Sequence, residues 1–261
     1  MNRVFLVTGA TGAIGQAIAR QLAAGKNHEV VLAGRDEAKT RRITGEIRAS
    51  TGNETVRYEI VDLSRKAAIS ALAERWTGPL HVLVNNAGAT PRTRQETPEG
   101  IEVQLATNVL GYFWLIQAFA AILSQSAPAR VINVASYWAG DLDLGDLEFK
   151  RRRYDNGRAY RQSKQADRML TAAFAARFES LGITVNACHP GDVKSRLSND
   201  LGFGGHESPD QGAETPVWLA TDPEGQQMSG AYFEHRQAKP DRYVRDAAAV
   251  EALYQACLAY G

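Results

Sequence analysis

The chain has 261 residues, of which 44% are hydrophobic and 23% charged. A globular chain of this length and composition can bury a large core without metal or disulfide, which excludes disordered, collagen-like and disulfide-scaffold classes. Lys and Arg number 30 against 29 Asp and Glu, a net charge of +1, so neither nucleic acid nor an anionic membrane is expected as a partner.

The two cysteines, Cys188 and Cys257, lack metal-ligand spacing and read as reduced thiols. The start, Met1 to Val7, enters a hydrophobic strand rather than a leader segment. The longest apolar stretch, Val109 to Leu123, has 15 residues and includes Gln117, too short and too polar for a membrane span. A soluble, cytoplasmic, single-domain protein is expected.

Short β-rich runs alternate with longer helical stretches. Val4 to Val7 is a continuous apolar strand, and Ala13 to Ala24 has helical period and stops at Gly25. Strands are expected at Glu29 to Ala33, Thr55 to Ile60, Leu80 to Val84, Arg130 to Val134, Ile183 to Ala187 and Ala231 to Phe233. Helices are expected at Asp36 to Ser50, from a Ser64 cap to Trp76, within Pro98 to Leu123, at Tyr160 to Leu181, near Ala213 to Ala220, and at the C-terminus. Continuous rather than alternating apolar strands imply a sheet buried on both faces. Alternation with short links implies parallel strands and right-handed crossovers. The expectation is an α/β fold, a doubly wound parallel sheet of the Rossmann type in one domain (1–261). The stretch Tyr137 to Gly157 is too long for an ordinary connection and so a candidate functional loop.

The first strand runs into Thr8-Gly9-Ala10-Thr11-Gly12-Ala13-Ile14-Gly15 and then a helix. Glycines at a strand-to-helix turn let the backbone approach a pyrophosphate and let the helix N-terminus face it. A plain packing turn would show the same glycines, but the position after the first strand is the one the mechanism needs. At the end of the second strand, Gly34 stands where an acid would hold an NAD ribose, and Arg35 follows. A guanidinium there suits the extra phosphate of NADP, although Asp36 is adjacent. NADP(H) is therefore the preferred cofactor, with NAD(H) open.

Tyr160 is followed four residues later by Lys164, on the same helix face. A phenol titrates near 10, and a neighbouring cation favours the phenolate. With nine tyrosines and seven lysines in the chain, such a pair arises easily by chance. It gains weight from its company: Thr8-Gly9 with the glycine turn, Asn85-Asn86-Ala87-Gly88, Ser136, Tyr160, Lys164 and Pro190-Gly191, in that order. Together these resemble the short-chain dehydrogenase/reductase family over nearly the whole chain. The segments Asn108 to Phe113, Tyr154 to Tyr160, His189 to Val193 and Ser229 to Phe233, and the 24 residues from Ser136 to Tyr160, are similar to the retinol dehydrogenase-like branch.

The resemblance implies an oxidoreductase that moves a hydride between a nicotinamide cofactor and an alcohol or carbonyl compound. It implies Tyr160 as general acid or base, Lys164 as the group that lowers its pKa and holds the nicotinamide ribose, and Ser136 as the donor to the substrate oxygen. Asn108 would hold a water leading to Lys164. Gly9, Thr11, Gly12, Ala13 and Ile14 would cradle the phosphates, with Arg35 near them. Asp62 and Leu63 would meet adenine, and Asn86, Ala87 and Gly88 the adenosine ribose side. Pro190, Gly191, Val193 and Ser195 would shape the nicotinamide end, within a substrate loop at about 191–212. The branch usually places its middle glycine at the position of Ala13, and Ser195 replaces a more usual threonine. The rivals are a nucleotide-sugar epimerase or dehydratase on the same fold, and a cofactor-sensing protein without turnover.

The remaining signals are weaker. Lys150-Arg151-Arg152-Arg153 reads either as solvated loop or as an attractor of acidic substrate. His189 has no second His or Cys at ligand spacing, so no metal site is expected. Trp138, Phe203 and Trp218 are candidates for an apolar pocket, Trp218 more readily for core. A homodimer or homotetramer is expected by analogy, with Val109 to Leu123 as a candidate contact helix.

Overall fold

The computed structural model describes residues 2–261; Met1, at the head of the first expected strand, lies outside them. β1 (Arg3–Thr8) is followed by α1 (Ala13–Ala23), β2 (His28–Gly34), α2 (Glu37–Thr51), β3 (Arg57–Ile60), α3 (Lys66–Arg75) and β4 (Val82–Asn85). A π-helical turn (Leu105–Leu110) leads into α4 (Gly111–Gln125), β5 (Ala129–Val134), α5 (Asn156–Phe178) and β6 (Ile183–His189). The remainder is α6 (Arg196–Asp200), α7 (Pro209–Thr221), β7 (Tyr232–Glu234), β8 (Gln237–Lys239) and α8 (Ala247–Leu258).

All eight strands form one sheet in the order β3-β2-β1-β4-β5-β6-β7-β8. Every pairing is parallel except β7 with β8. The expected doubly wound sheet is therefore found, with an antiparallel edge strand that no sequence pattern announced. The order reverses between β1 and β4, and a doubly wound sheet opens a crevice at that point, at the carboxyl ends of its strands. Both faces are covered. On one side α3, α4, α5 and α8 pack through Leu72, Phe113, Phe119, Phe174 and Leu253, and on the other α1, α2 and α7 pack through Ile18, Leu22, Ile43, Ile47 and Leu219. β1, β4 and β5 are buried almost end to end, which explains their continuous apolar runs.

Several boundaries differ from expectation for identifiable reasons. The helix expected within 98–123 begins only after Glu102, whose buried carboxylate accepts from the Gln104 and Leu105 N–H groups. Ser64 does not cap α3, because its hydroxyl and its N–H both donate to Asp62 Oδ1. The N-cap of α3 is Arg65, without a side-chain hydrogen bond.

The run 105–125 is long and apolar enough to cross a membrane, but it is 67% buried. Phe113 meets Phe174 at 5.3 Å and Tyr254 at 5.2 Å between ring centroids. The apolar face proposed above as an inter-subunit contact is thus largely covered by the chain's own helices.

Candidate active site

The glycine turn closes through Gly12 N–H donating to Gly9 O at 2.9 Å, and α1 begins at Ala13. Gly9 has φ +61, and a Cβ there would lie 2.6 Å from the Ala87 Cα. A Cβ on Gly15 would stand 2.3 Å from Gly9 O. These two positions need glycine because β4's loop presses on the turn, whereas Gly12 has more room. Ala13 occupies the first helical position without disturbing the turn. Thr8 fastens the two loops: its hydroxyl donates to Val84 O and accepts from the N–H groups of Asn86 and Ala87. Asn86 Nδ2 donates back to Thr8 O at 2.9 Å. Asn86 and Ala87 therefore act first as braces of the crevice, and Gly88 lies behind Asn108 and Leu197.

At the end of β2, Asp36 caps α2 by accepting from Lys39 N–H at 3.0 Å. One of its two carboxylate oxygens is thereby engaged by the helix. Arg35 is exposed and, among the described residues, makes no ion pair. Asp62 is engaged with Ser64, and Leu63 is buried beside Gly111.

Ser136, Tyr160 and Lys164 meet at the carboxyl ends of β5 and β6. Ser136 Oγ accepts from Trp138 N–H at 3.0 Å. The Lys164 ammonium donates to Val134 O at 2.9 Å and to Asp167 Oδ2 at 2.8 Å. It lies 5.9 Å from the Tyr160 ring centroid and 5.1 Å from that of Tyr112.

Burial raises the Tyr160 phenol above its ordinary value, against the pull of Lys164 and of a hydrogen bond with Ser136. The lowering expected from the lysine alone is thus outweighed while the ring is enclosed. For Lys164, burial works to lower the ammonium, but Asp167, Tyr112 and Tyr160 outweigh it and raise it. Asp167 was not foreseen; burial pushes its carboxyl up to about 6 against Lys164.

Asn108 lies in the π turn. Its Oδ1 accepts from Ala89 N–H at 2.8 Å, and its Nδ2 donates to Ala89 O at 3.1 Å and Ser163 Oγ at 3.3 Å. The π turn breaks the regular helical ladder here, and the side chain holds Ala89, Gln104 and Ser163.

A cavity of about 330 Å³ opens beside Tyr160, lined by Ile14, Ser136, Trp138, Pro190, Val193 and Phe203 among others. Gly191 has φ +100 and Glu207 packs directly over it. Ser195 caps α6, accepting from Ser198 N–H at 3.0 Å. Trp138 and Phe203 face the cavity as expected, whereas Trp218 packs on Phe233 away from it.

The basic run wraps around Asp146, whose carboxylate accepts from the N–H groups of Lys150, Arg151 and Arg152. The Arg152 side chain also bonds Asp146 and Gln162, and Lys150 pairs with Glu148. These residues fasten the long 137–157 segment and leave the cavity wall to other groups. The Arg151 and Arg153 side chains are exposed.

The short chain dehydrogenase family model matches residues 3–202. The chain belongs to the short-chain dehydrogenase family. It is accordingly an NAD(P)-dependent dehydrogenase acting on CH–OH groups. It is 38% identical to a Streptomyces antibioticus protein named probable oxidoreductase, over 90% of this chain and 86% of that one. It is 35% identical to retinol dehydrogenase 12 of Mus musculus, over 89% and 77% of the two chains. A solved Pseudomonas aeruginosa RhlG/NADP active-site complex superposes with a TM-score of 0.71 at 26% identity, over 88% of this chain and 93% of that one. The resemblance to the family and to its retinol dehydrogenase-like relatives is thereby borne out.

His189, at the end of β6, is buried; its ring lies edge-on to Tyr137, 4.6 Å between centroids. Burial drives its pKa down to about 4. The unfolded chain therefore binds more protons here between its own pKa and that value, and stability falls as pH drops through this window. The group should withdraw about 3 kcal/mol between roughly pH 7 and pH 4. Urea unfolding of His189→Gln should show a correspondingly smaller acid loss than the parent. Equal losses in both proteins refute the assignment.

Proposed function

We propose that this dehydrogenase prefers NADP(H) and interconverts an alcohol with an aldehyde or ketone, with Tyr160 as proton donor and acceptor. The convergence of Ser136 and Tyr160 on the cavity, with the Lys164 ammonium beside the Tyr160 ring, carries this reading. The bound nicotinamide supplies or accepts the hydride. The chain's residues do the rest. The backbone of Gly9, Thr11, Gly12, Ala13 and Ile14 offers the close approach that a pyrophosphate requires, at the N-terminus of α1. Arg35, exposed and unpaired, suits the 2′-phosphate, and the neighbouring Asp36 has one carboxylate oxygen engaged in the α2 cap.

Ser136 and Tyr160 both point hydroxyls toward a substrate oxygen, where Ser136 steadies developing charge. Lys164, pinned by Val134 O and Asp167, has one further N–H for a ribose hydroxyl. Pro190, Gly191 and Val193, which line the cavity, would hold the nicotinamide end. Ser195 contributes by fixing α6 within the substrate loop, 191–212. Because the phenol sits above the ordinary tyrosine range, it holds its proton at neutral pH and is ready to act as the acid in carbonyl reduction.

The RhlG/NADP complex supports the fit of this cofactor to the fold. Titration of NADPH and NADH fluorescence should show tighter NADPH binding, and Arg35→Ser should weaken NADPH by about 10–100-fold with little change for NADH. Equal binding of both cofactors by the parent removes the NADP preference. NADPH oxidation with a panel of carbonyl compounds separates an enzyme from a cofactor sensor. Absence of turnover with nucleotide sugars, alongside turnover of simple carbonyls, separates it from an epimerase.

A further inference from the structure

The wall of the catalytic cavity is aromatic. Trp138 stands 6.3 Å from the Tyr160 ring and meets Phe203 edge-on at 5.8 Å between centroids. Tyr137 and Phe203, exposed at 51% and 45%, stand on this wall. Together they frame a slot suited to a flat apolar group.

Asp192 stands on the same wall. Its main-chain oxygen accepts from His206 and Glu207 N–H groups at 2.8 and 3.0 Å, which fixes the residue in place. Its carboxylate has a long contact of 3.4 Å with the Tyr137 hydroxyl. No lysine or arginine among the described residues pairs with it. Lys194, two residues along the chain, is exposed and forms no ion pair with it, and three other cations are matched elsewhere. Lys164 is held by Asp167, Arg161 by Asp141 and Arg152 by Asp146. The basic side chains on the wall are two histidines, His189 and His206, rather than lysine or arginine. The Asp192 charge reaches Tyr160 and Tyr137, raising both phenols. An uncompensated carboxylate in a partly desolvated slot repels a like charge strongly, and such repulsion is a common way to reject wrong ligands.

We propose that the cavity takes a flat aromatic aldehyde or ketone that is uncharged or cationic, and that Asp192 excludes carbonyl compounds bearing a carboxylate or phosphate. This rests on the placement of the reacting carbonyl beside Tyr160. Asp192 is a specificity residue that meets the substrate's far end.

The test uses three aldehydes of one shape: para-methoxybenzaldehyde, para-carboxybenzaldehyde and para-trimethylammonio-benzaldehyde. Their affinities are measured by calorimetry on the full chain saturated with NADP⁺, where no hydride is available and binding alone is read. The neutral and cationic compounds should bind at least about tenfold more tightly than the carboxylate. Asp192→Asn should shrink that ratio to about threefold or less, and Asp192→Glu should retain it. Carboxylate binding as tight as the neutral compound, an unchanged ratio in Asp192→Asn, or no binding of any of the three overturns the proposal. Turnover with NADPH is measured separately. Discrimination in binding without any turnover would sink the dehydrogenase reading of Tyr160 and leave the charge selection standing.

Discussion

Tyr160→Phe should lower turnover by about 10²–10⁴-fold, the usual worth of a positioned general acid or base. NADPH binding should remain nearly intact, because the cradle at Gly9 to Ile14, Arg35 and the Lys164 ammonium are untouched. The ring also stays, so the packing against Trp138 persists. Only the hydroxyl that hydrogen-bonds with Ser136 is lost.

The pH dependence of the parent follows from the same group. A phenol raised above its ordinary value is protonated through the neutral range, so carbonyl reduction should hold there and fail at high pH. Alcohol oxidation needs the deprotonated form and should climb with pH over the alkaline range. In Tyr160→Phe both dependences should vanish along with most of the rate. Steady-state rates in both directions across pH check this, and a variant that keeps the parent's turnover removes Tyr160 from the chemistry.

The second large effect concerns the pair beneath it. Lys164 and Asp167 are 5% and 0% exposed at their side chains and 2.8 Å apart. Removing one partner of a buried ion pair strands the other, at a cost of about 3–5 kcal/mol. In Lys164→Met the stranded group is a carboxylate already pushed up to about 6, and without the ammonium it rises further. It escapes by taking a proton.

A folded-state acid pKa above its unfolded value means that the folded chain binds the extra proton, so stability falls as pH rises. Urea unfolding of Lys164→Met should therefore show a loss that is small in mild acid and grows toward alkaline pH. Lys164→Met/Asp167→Leu should recover most of the alkaline loss, since no charge is then left in the core. A loss in the single variant that ignores pH, or a double variant no better than the single, refutes the account.

The sheet, its switch point and the glycine turn were legible because each has a local signature. Buried parallel strands read as continuous apolar runs, and a turn pressed by a neighbouring loop admits no side chain at Gly9 or Gly15. The Tyr160–Lys164 pair was legible through helical spacing and the company of other motifs. What escaped depends on long-range packing. Asp167 follows Lys164 by one helical turn, a signal available in principle, but nothing in the sequence says that this face is buried. Asp146 gathers three backbone donors from a basic run that, read alone, suggests a binding patch. The Ser195 hydroxyl, expected at the nicotinamide end, also caps α6, a role that no spacing announced. Arg35 and Asp36 point to different cofactors, and the α2 cap takes only one Asp36 oxygen.

The π turn at Leu105–Leu110 has a bearing on which insertions and deletions the chain tolerates. A wider turn holds one residue more than a regular helix would use over the same length. Deleting one residue there would restore regular hydrogen bonding and leave the helix beyond it nearly in phase, because the wide turn takes up its extra residue at a smaller angular step than the regular ~100°. Phe113, Leu115 and Phe119 would keep their places in the core, and Asn108, inside the turn, would lose its register with Ala89. The surplus residue is the one that lets a single helix serve both the catalytic crevice and the core behind it.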